Sequence, residues 1–553
     1  MRNWIRRSVF VGSIVCAATI AAAQDDYPRE WPEDVPTDTL PRYRTAAEQA
    51  YELENPWIED RGPGTTPIGP VQCVAEYEPM EGLCLSWEGG GSLTAIVTEI
   101  ARHITTTGNG IAYIAVDSTS VRTSATTALT NAGINMSRVQ FIVRTVDSIW
   151  IRDYGPRYIY EGDCRAIADH TYNVTSRVND NSWPIGFGTY KRHARYDLPL
   201  RHGGGNYHLD ENDNGFATRL IVNENPTRTQ AQIVDLWRTY QGITTNILDA
   251  FPTSVDATQH IDMWMQIVGP TTVFISDWPN NPGSVQDNIC EAATTLMAAR
   301  GFTVHRLPAR VINFTHYTYT NMVIFNDVVI IPSYTNATIS PWNAPALATI
   351  QAALPGKTIV QLNAQSIVPL AGVFHCIVMH VPVPKNGVNP SVHLRSLRGP
   401  ETLTPGQNAV INWISDDDRL VSNIDILLSV DGGQTFPTTI AAATADDGVH
   451  TWLVPNVYAR HARIRLVARD ADGNTGSTQS VDELFINGTR PPCAGDADGD
   501  FDVDLTDLAR LLGSFGTCDG DAAYDVNVDF DADNCVALGD LSMQLTVFGE
   551  PCP

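Results

Sequence analysis

The hydrophobic pattern of the chain changes near residue 387, and this change constrains the fold more than any other sequence feature. Before it, β-branched apolar runs alternate with helical patterns, which predicts an α/β domain over residues 71–387. The predicted strands lie at 110–116, 139–143, 255–268, 271–275, 323–331 and 358–362, and the predicted helices at 92–105, 227–239 and 286–300. After residue 387 the helical patterns stop.

Residues 388–488 contain only short alternating runs, at 409–414, 424–430, 450–454 and 462–467, separated by Asp-Gly-Gly and Asp-Gly-Asn turns. Regularly spaced short strands with such turns are typical of two packed antiparallel sheets. We therefore expect an Ig-like β-sandwich in this region.

The N-terminal 23 residues have the composition of a secretory signal. Arg2, Arg6 and Arg7 precede an apolar run at 9–20, which three alanines follow. A run of about 12 apolar residues is too short to span a bilayer. We expect no membrane span and a protein that is secreted or periplasmic. Residues 24–70 are rich in proline and charge and predict a mostly extended leader, with a short helical pattern at 46–53.

The formal net charge of −26 gives the chain no general attraction for nucleic acids or anionic membranes. The charge is concentrated at one end, because residues 494–553 contain 14 Asp or Glu and a single basic residue, Arg510. This argues against a nucleic-acid partner and sets the C-terminal segment apart from the rest of the chain.

Residues 493–553 contain an internal repeat with an offset of 33 residues. Acidic side chains stand at loop positions 1, 3, 5 and 12 of each copy, and a Leu/Leu/Phe helix face follows, which is the spacing of a Ca²⁺-binding loop. The predicted Ca²⁺ ligands are Asp496, Asp498, Asp500, Asp504, Asp507, Asp529, Asp531, Asp533 and Asp540. The duplicated loop and helix resemble a dockerin module, which implies a cohesin-like docking partner. A solvated acidic tail is the alternative.

The cysteine count is odd once the signal is removed, because Cys16 lies inside it and nine others follow. Cys73 and Cys84 are close enough in sequence to bridge, and Cys164 and Cys290 lie in the α/β domain. Cys493, Cys518, Cys535 and Cys552 form a C-terminal set with three possible connectivities. Cys376 is then left over, although an inert thiol at this position, or another unpaired cysteine, is equally compatible with the count.

Several segments of the α/β domain carry candidate site residues. Asp153 lies among aromatic residues that include Trp150, although a structural role would suit it as well. His260 and Asp262 would share one face of a strand and could form half of a metal site, but no further ligand lies nearby in sequence. Together with Cys376, they suggest thiol catalysis on a cationic substrate, because paired carboxylates complement a guanidinium.

Residues 202–206 read His-Gly-Gly-Gly-Asn, which is also the oxyanion element of some esterases. The chain contains no G-x-S-x-G motif, so the nucleophile that an esterase would need is missing. These glycines are better explained as positions where the backbone approaches a ligand closely or adopts a positive φ.

Six motifs occur in order at residues 75–80, 150–156, 203–210, 260–262, 319–321 and 374–376. With these motifs the sequence, over residues 48–384, resembles the guanidine-modifying penteins, specifically the bacterial Porphyromonas-type peptidylarginine deiminases and the agmatine deiminases. The resemblance implies a five-bladed α/β propeller that needs no cofactor for catalysis. It implies Cys376 as nucleophile, His260 as acid/base, Asp153 and Asp262 as the guanidinium clamp, and Asn321 as a neighbour of the nucleophile.

The resemblance leaves the substrate open. An arginine-containing peptide would give citrulline and ammonia, and agmatine would give N-carbamoylputrescine and ammonia. Of the residues that would hold a terminal carboxylate, the segment 172–177 offers only Arg177, which we take with Trp150 as substrate-binding. The export signal and the motifs at 76–79 and 319–321 favour a peptide. A third hypothesis is a non-enzymatic, Ca²⁺-dependent assembly or adhesion protein, although all five presumed catalytic residues are present.

Overall fold

The computed structural model describes residues 39–56, 65–489 and 493–550. The predicted signal at 1–23, the first part of the leader and Cys552 lie outside the described residues. The chain divides into two compact units, the first extending to residue 389 and including residues 416–418, and the second comprising residues 390–415 and those from 419 onward. Among the described helices, none has the length and apolar character needed to cross a membrane.

The first unit has a mixed α/β fold, as the alternating pattern predicts, and its strands form repeating units. In four of its sheets, two antiparallel strands are followed along the chain by a helix and then by a third strand, which pairs in parallel with the second strand. In a further sheet the C-terminal strand Met379–Pro382 pairs antiparallel with Met80–Ser86, so the end of the unit completes the sheet that begins near its start. This repetition brings loops from distant parts of the sequence to equivalent positions.

The strands of these five sheets are, in spatial order, Met379–Pro382, Met80–Ser86, Ile111–Val116 and Val139–Val143; Val71–Cys73, Arg157–Glu161, Cys164–Tyr172 and Ala194–His202; Thr244–Leu248, Asn214–Thr218 and His208–Leu209; Met265–Gly269, Thr272–Asp277 and Thr303–Pro308; Val323–Phe325, Val328–Ser333 and Thr358–Asn363. A separate hairpin joins Arg310–Ile312 to Thr315–Tyr317. The α-helices of the unit are Ala46–Glu54, Gly90–Thr105, Thr119–Asn131, Ile151–Tyr154, Val178–Lys191, Leu220–Glu224, Gln230–Gln241, Val285–Ala299 and Asn343–Ala353.

Local sequence explains why these elements form. The helix Gly90–Thr105 buries Leu93, Val97, Ile100 and Ile104, which recur at helical spacing along one face. The helix Gln230–Gln241 begins with a capping box and ends at a glycine with left-handed backbone. The central strands are covered on both faces by other elements, which explains their continuous apolar runs.

Two predicted strands differ from the structure. The run at 323–331 is a hairpin of two strands, because the chain turns at Asn326, which has a φ of 45°. The run at 255–268 contains a strand only at Met265–Gly269. Before it, the Asp256 side chain accepts hydrogen bonds from the backbone of Thr258 and Gln259 at 2.8 and 3.2 Å, which folds the chain into a turn and replaces the extended backbone.

The expected bridge between Cys73 and Cys84 is absent. Neither cysteine forms a disulfide, and the same is true of Cys164, Cys290 and Cys376. Cys73 lies on a strand of the sheet that contains Arg157–Glu161, whereas Cys84 lies on Met80–Ser86, and the two side chains point into different apolar clusters. Separation along the sequence is short, but the topology sends the two strands to different sheets.

The second unit contains two sheets around one apolar core, followed by a helical segment. One sheet orders Ser391–Leu394, Asn408–Asp416 and Val449–Leu453; the other orders Thr402–Leu403, Leu484–Asn487, Tyr458–Asp470, Val421–Ser429 and Thr438–Thr444, with Thr475–Gln479 also paired to Tyr458–Asp470. The helices Leu505–Ser514 and Leu538–Val547 follow, and a disulfide joins Cys518 to Cys535. The Ig-like classification of the sheets stays a prediction.

Thiol labelling checks the cysteine assignment. Alkylation in denaturant without reductant should modify Cys73, Cys84, Cys164, Cys290 and Cys376, and should leave Cys518 and Cys535 unmodified until a reductant is added. Peptide mass spectrometry measures both. A disulfide-linked peptide that contains Cys73 and Cys84 would contradict the strand placement.

Candidate active site

The five residues expected to carry catalysis meet in one buried site. Asp153 lies on the short helix Ile151–Tyr154, and Cys376 lies in the 3₁₀ turn His375–Ile377. His260 and Asp262 flank the start of a second 3₁₀ turn, Ile261–Met263. Asn321 comes from the loop before Val323–Phe325. Each of the five side chains is at most 3% exposed.

A guanidinium already occupies the centre of this site, and it belongs to Arg42 of the leader. Its Nε and Nη2 donate to the two oxygens of Asp153 at 2.8 and 2.7 Å. Its Nη1 and Nη2 donate to the two oxygens of Asp262 at 3.1 and 3.0 Å. The site therefore binds a guanidinium with two carboxylates, both of which use both of their oxygens.

Two more groups touch the same guanidinium. The Cys376 sulfur lies 2.6 Å from Nη1, and His260 Nδ1 lies 2.8 Å from Nη2. His260 Nδ1 is also 3.4 Å from an oxygen of Asp153. A thiol and an imidazole thus contact different nitrogens of one guanidinium, which places a nucleophile and a proton donor on the same group.

Charge in the site is balanced around Arg42. Burial by itself would raise the pKa of Asp153, but Arg42 and then His260 hold it well below its ordinary value. The pKa of Asp262 is also lowered, because Arg42 and His375 outweigh burial. Burial raises the pKa of Cys376 well above its ordinary value, Arg42 opposes this, and the carboxylates of Asp262 and Asp153 add to it. The cation keeps both carboxylates ionised and favours the thiolate.

Residues 72–382 match the sequence model of the Porphyromonas-type peptidyl-arginine deiminases. The chain belongs to this family. A Selenomonas ruminantium protein named as an agmatine deiminase is 21% identical over 370 residues, which cover 56% of this chain and 95% of that protein. The X-ray structure of a protein also named as an agmatine deiminase matches with a TM-score of 0.51 at 17% identity, over 56% of this chain and 96% of the other, which shows the fold alone.

Members of the Porphyromonas-type peptidyl-arginine deiminase family are pentein deiminases that modify guanidines and need no cofactor for catalysis. The chain is therefore a hydrolase of amidine C–N bonds. The hypothesis of a decayed, non-enzymatic scaffold has no support from the site. The thiol, the imidazole and both carboxylates contact one guanidinium, and the Asn321 amide contacts the thiol.

The remaining sequence candidates lie beside this site. Asn321 Nδ2 is 3.1 Å from the Cys376 sulfur, as expected of a neighbour of the nucleophile. Trp150 donates its indole N–H to the Leu40 carbonyl at 2.9 Å. Arg177 donates to the carbonyls of Pro41 and Tyr43 at 2.7 and 3.2 Å. Trp150 and Arg177 therefore bind main chain on either side of Arg42.

The glycine-rich segment confirms the close-approach explanation. A Cβ atom at Gly205 would coincide with the Arg42 guanidinium and would crowd the carboxylates of Asp153 and Asp262. A Cβ atom at Gly203 would collide with the His260 ring. None of residues 203–205 has a positive φ, so the glycines are required for space and not for backbone conformation.

Sequence reasoning assigned no role to two residues that support the site, Glu76 and His375. His375 bridges Asp262 and Glu76, with both ring nitrogens 2.9 Å from a carboxylate oxygen. Arg152 donates to the other oxygen of Glu76 at 2.5 Å. Burial would raise the pKa of Glu76, but Arg152, His375 and His380 hold it well below its ordinary value. Both residues lie inside two of the six ordered motifs, at 75–80 and 374–376, yet only the fold shows that they orient Asp262.

Possible metal ligands occur at three places among the described residues. Glu76, His208 and His375 have ligand atoms within 4.8 Å of one another, but Glu76 and His375 are already engaged by Arg152 and Asp262. The structure gives no support to the alternative that His260 and Asp262 form half of a metal site, since Arg42 contacts both. The other two places are the group Asp277, Asp287 and Glu291 and the acidic repeat at the C-terminus.

Replacing either clamp carboxylate should abolish activity. Asp153→Asn and Asp262→Asn each present an NH₂ group to a donor-only guanidinium, so we expect kcat/KM below about 1% of wild type, the level expected of Cys376→Ala as well. Asp235→Asn, on an exposed helix surface, is the matched control. Circular dichroism establishes that each variant is folded. A folded Asp262→Asn enzyme with near-normal kcat/KM would make that carboxylate structural.

Proposed function

We propose that this deiminase hydrolyses arginine residues within peptides or proteins to citrulline and ammonia. The observation that supports this substrate is Arg42, an arginine with polypeptide on both sides whose guanidinium contacts the candidate catalytic groups. A small free guanidine would have no carbonyls for Arg177 and Trp150 to bind. These two residues instead bind the carbonyls next to Arg42 and two residues before it.

The reaction begins with a guanidinium whose carbon is a poor electrophile, because its charge is delocalised over three nitrogens. Asp153 and Asp262 hold the nitrogens and stabilise positive charge on them while the carbon becomes tetrahedral. The Cys376 sulfur attacks this carbon. His260 then donates a proton to the nitrogen it contacts, the C–N bond breaks, and ammonia leaves a thiouronium on Cys376. Water adds to the carbon and His260 takes one of its protons. The C–S bond then breaks, which returns the Cys376 thiolate, and the remaining hydroxyl proton passes to the solvent as the carbonyl of citrulline forms.

The substrate itself supplies part of the activation of the thiol. In the absence of a cation, burial and the two carboxylates disfavour a thiolate at Cys376. A bound guanidinium offsets one of the two carboxylate charges and so lowers the thiol pKa relative to the empty site. We therefore propose that the nucleophile forms only when a guanidinium is seated, which protects the thiol from unrelated electrophiles.

Agmatine is the second candidate substrate. The Selenomonas ruminantium relative, named as an agmatine deiminase, shares 21% identity with this chain. Agmatine carries the same guanidinium, and its amine would need a negatively charged partner. Glu224 lies beside the site, with one oxygen 3.6 Å from Arg44 Nη2. Its carboxylate is a candidate partner for the agmatine amine.

A substrate panel separates the candidates. Ammonia release should be measured with agmatine, free arginine, a peptide with an internal arginine and a peptide with a C-terminal arginine. We expect the highest kcat/KM for the internal arginine, since Arg177 and Trp150 then bind main chain. We expect Arg177→Ala to lower the ratio of kcat/KM for this peptide to kcat/KM for agmatine by tenfold or more, because agmatine offers no main chain to Arg177. A higher kcat/KM for agmatine would reassign the enzyme.

We propose further that the enzyme is secreted, and that its C-terminal repeat binds Ca²⁺ and attaches it to a partner. In each copy the position-12 carboxylate is buried and holds the loop. Asp507 accepts from the backbone of Ala497 and Asp498 at 2.7 and 3.1 Å, and Asp540 accepts from Phe530 and Asp531 at 2.6 and 3.2 Å. The two loops thus share one construction, which supports a repeated ligand cage.

The carboxylates that could bind the ion form two groups. Asp496, Asp498, Asp500 and Asp507 have ligand atoms within 4.8 Å of one another, as do Asp529, Asp531 and Asp540. Asp504 caps the helix Leu505–Ser514 and also forms a further, overlapping group with Asp502 and Asp507, whereas Asp533 lies outside the second group. Loss of water and then the neighbouring carboxylates raise the pKa of Asp498 and of Asp531. Oxygen donors at this density suit Ca²⁺.

Chelation tests the Ca²⁺ proposal. Removing Ca²⁺ leaves each group of carboxylates mutually repelling, so the helical signal in circular dichroism should fall and return on Ca²⁺ addition, while deimination stays unchanged. Asp496→Asn should weaken the Ca²⁺ response, and Asp519→Asn, an exposed residue outside both groups, should not. A circular dichroism spectrum that does not change when chelator is added would contradict the Ca²⁺ proposal.

A further inference from the structure

The leader segment, residues 39–56, occupies the position of the substrate. The Arg42 side chain is 0% exposed, and its nitrogens take up all four oxygens of Asp153 and Asp262 as well as the contacts to Cys376 and His260. A second guanidinium has no acceptor left in the site. Arg42 and any external arginine therefore compete for the same atoms.

Further contacts hold this segment down beyond the guanidinium. The backbone N–H of Arg42 donates to the Leu370 carbonyl at 2.9 Å. Glu48 pairs with Arg177 at 2.7 Å, and the same carboxylate closes the capping box that starts the helix Ala46–Glu54. Helix formation and the docking of the segment are thus coupled through one side chain.

The outer end of the segment is held by Glu52. Its carboxylate pairs with Arg44 and Arg201, both at 3.0 Å, and accepts the backbone N–H of Thr175 at 2.9 Å. Glu52 does not contact the guanidinium or any catalytic group. Glu52 therefore holds the segment at a point remote from the catalytic groups, and we call its contacts with Arg44, Arg201 and Thr175 the clasp.

We propose that residues 39–56 are an intramolecular ligand that closes the guanidine site, so that an external arginine enters only when the segment is displaced. The proposal rests on the proposed function, because the site is taken to receive arginine. Arg42 acts as a competitive inhibitor attached to the enzyme. It is retained as arginine because its Nη1 donates to the Cys376 sulfur, which engages the sulfur with a nitrogen and not with the carbon. The enzyme passes between a closed and an open state.

Attachment makes this inhibition strong. A ligand tethered by a short segment has an effective concentration on the order of millimolar. Any affinity of Arg42 for the site tighter than this keeps most molecules closed, and the apparent KM for an external substrate rises by the ratio of effective concentration to dissociation constant. An affinity of about 0.1 mM would raise KM about tenfold.

Three full-length variants test the proposal. Arg42→Ala removes the ligand and should lower KM for an internal-arginine peptide by about tenfold or more with kcat unchanged. Glu52→Gln leaves Arg42 in place but loosens the clasp, and should lower KM by a smaller factor. Arg122→Ala removes an exposed arginine elsewhere and should behave as wild type. Circular dichroism and the unfolding midpoint establish that each is folded.

A binding measurement keeps this test independent of turnover. In the Cys376→Ala background, calorimetry with agmatine and with the same peptide should give a dissociation constant about tenfold lower when Arg42→Ala is added. This binding measurement tests whether Arg42 blocks the site even if the enzyme hydrolyses none of the substrates. A complete lack of hydrolysis would contradict the proposed function and not the inhibition by Arg42. If Arg42→Ala and Arg122→Ala, each added to Cys376→Ala, give equal dissociation constants, Arg42 does not compete for the site and the proposal is wrong.

The fate of Arg42 is the last outcome. Mass spectrometry of the segment from active wild-type protein should find arginine at position 42. Citrulline there in wild type, but not in Cys376→Ala, would show that the enzyme consumes Arg42 as a substrate, and would overturn its retention as an inhibitor.

Discussion

Two carboxylates, Asp153 and Asp262, face a common point in an interior that excludes solvent, and the site depends on the cation between them. Neither group would stay ionised there without a positive charge, because burial and mutual repulsion both favour the protonated acid. A guanidinium satisfies both at once with planar, bidentate hydrogen bonds. The reactivity of Cys376 and the selectivity for guanidines follow from the same charge.

The groups around this cation lie on short 3₁₀ turns and loops, and repeated strand units hold those loops in place. Asp262 illustrates the support. His375 contacts one oxygen of Asp262 through Nδ1 and contacts Glu76 through Nε2. Arg152 in turn donates a hydrogen bond to Glu76. Buried polar chains of this kind are rigid when every member has a partner. The clamp is therefore oriented before any guanidinium binds.

The same charge explains why a piece of the leader lies in the site. An anionic, buried pocket in a strongly acidic chain attracts any arginine that can reach it. Arg42 reaches it because Glu48 and Glu52 pair with Arg177, Arg44 and Arg201 and hold the segment across the opening. In the open state Arg177 and Trp150 become available for the main chain of a peptide. One set of residues thus serves both the tethered and the external arginine.

The sequence by itself determined the α/β class, the change to an all-β region, the helices at 92–105, 227–239 and 286–300, and the identity of the five catalytic candidates, because periodicity and ordered motifs are local properties. It missed the turn that Asp256 imposes before His260, the separation of Cys73 from Cys84, the support from Glu76 and His375, and above all the placement of Arg42. An arginine in a proline-rich leader carries no local signal of its partner. Only the tertiary structure decides which charges meet, since Arg42 and Asp262 are 220 residues apart.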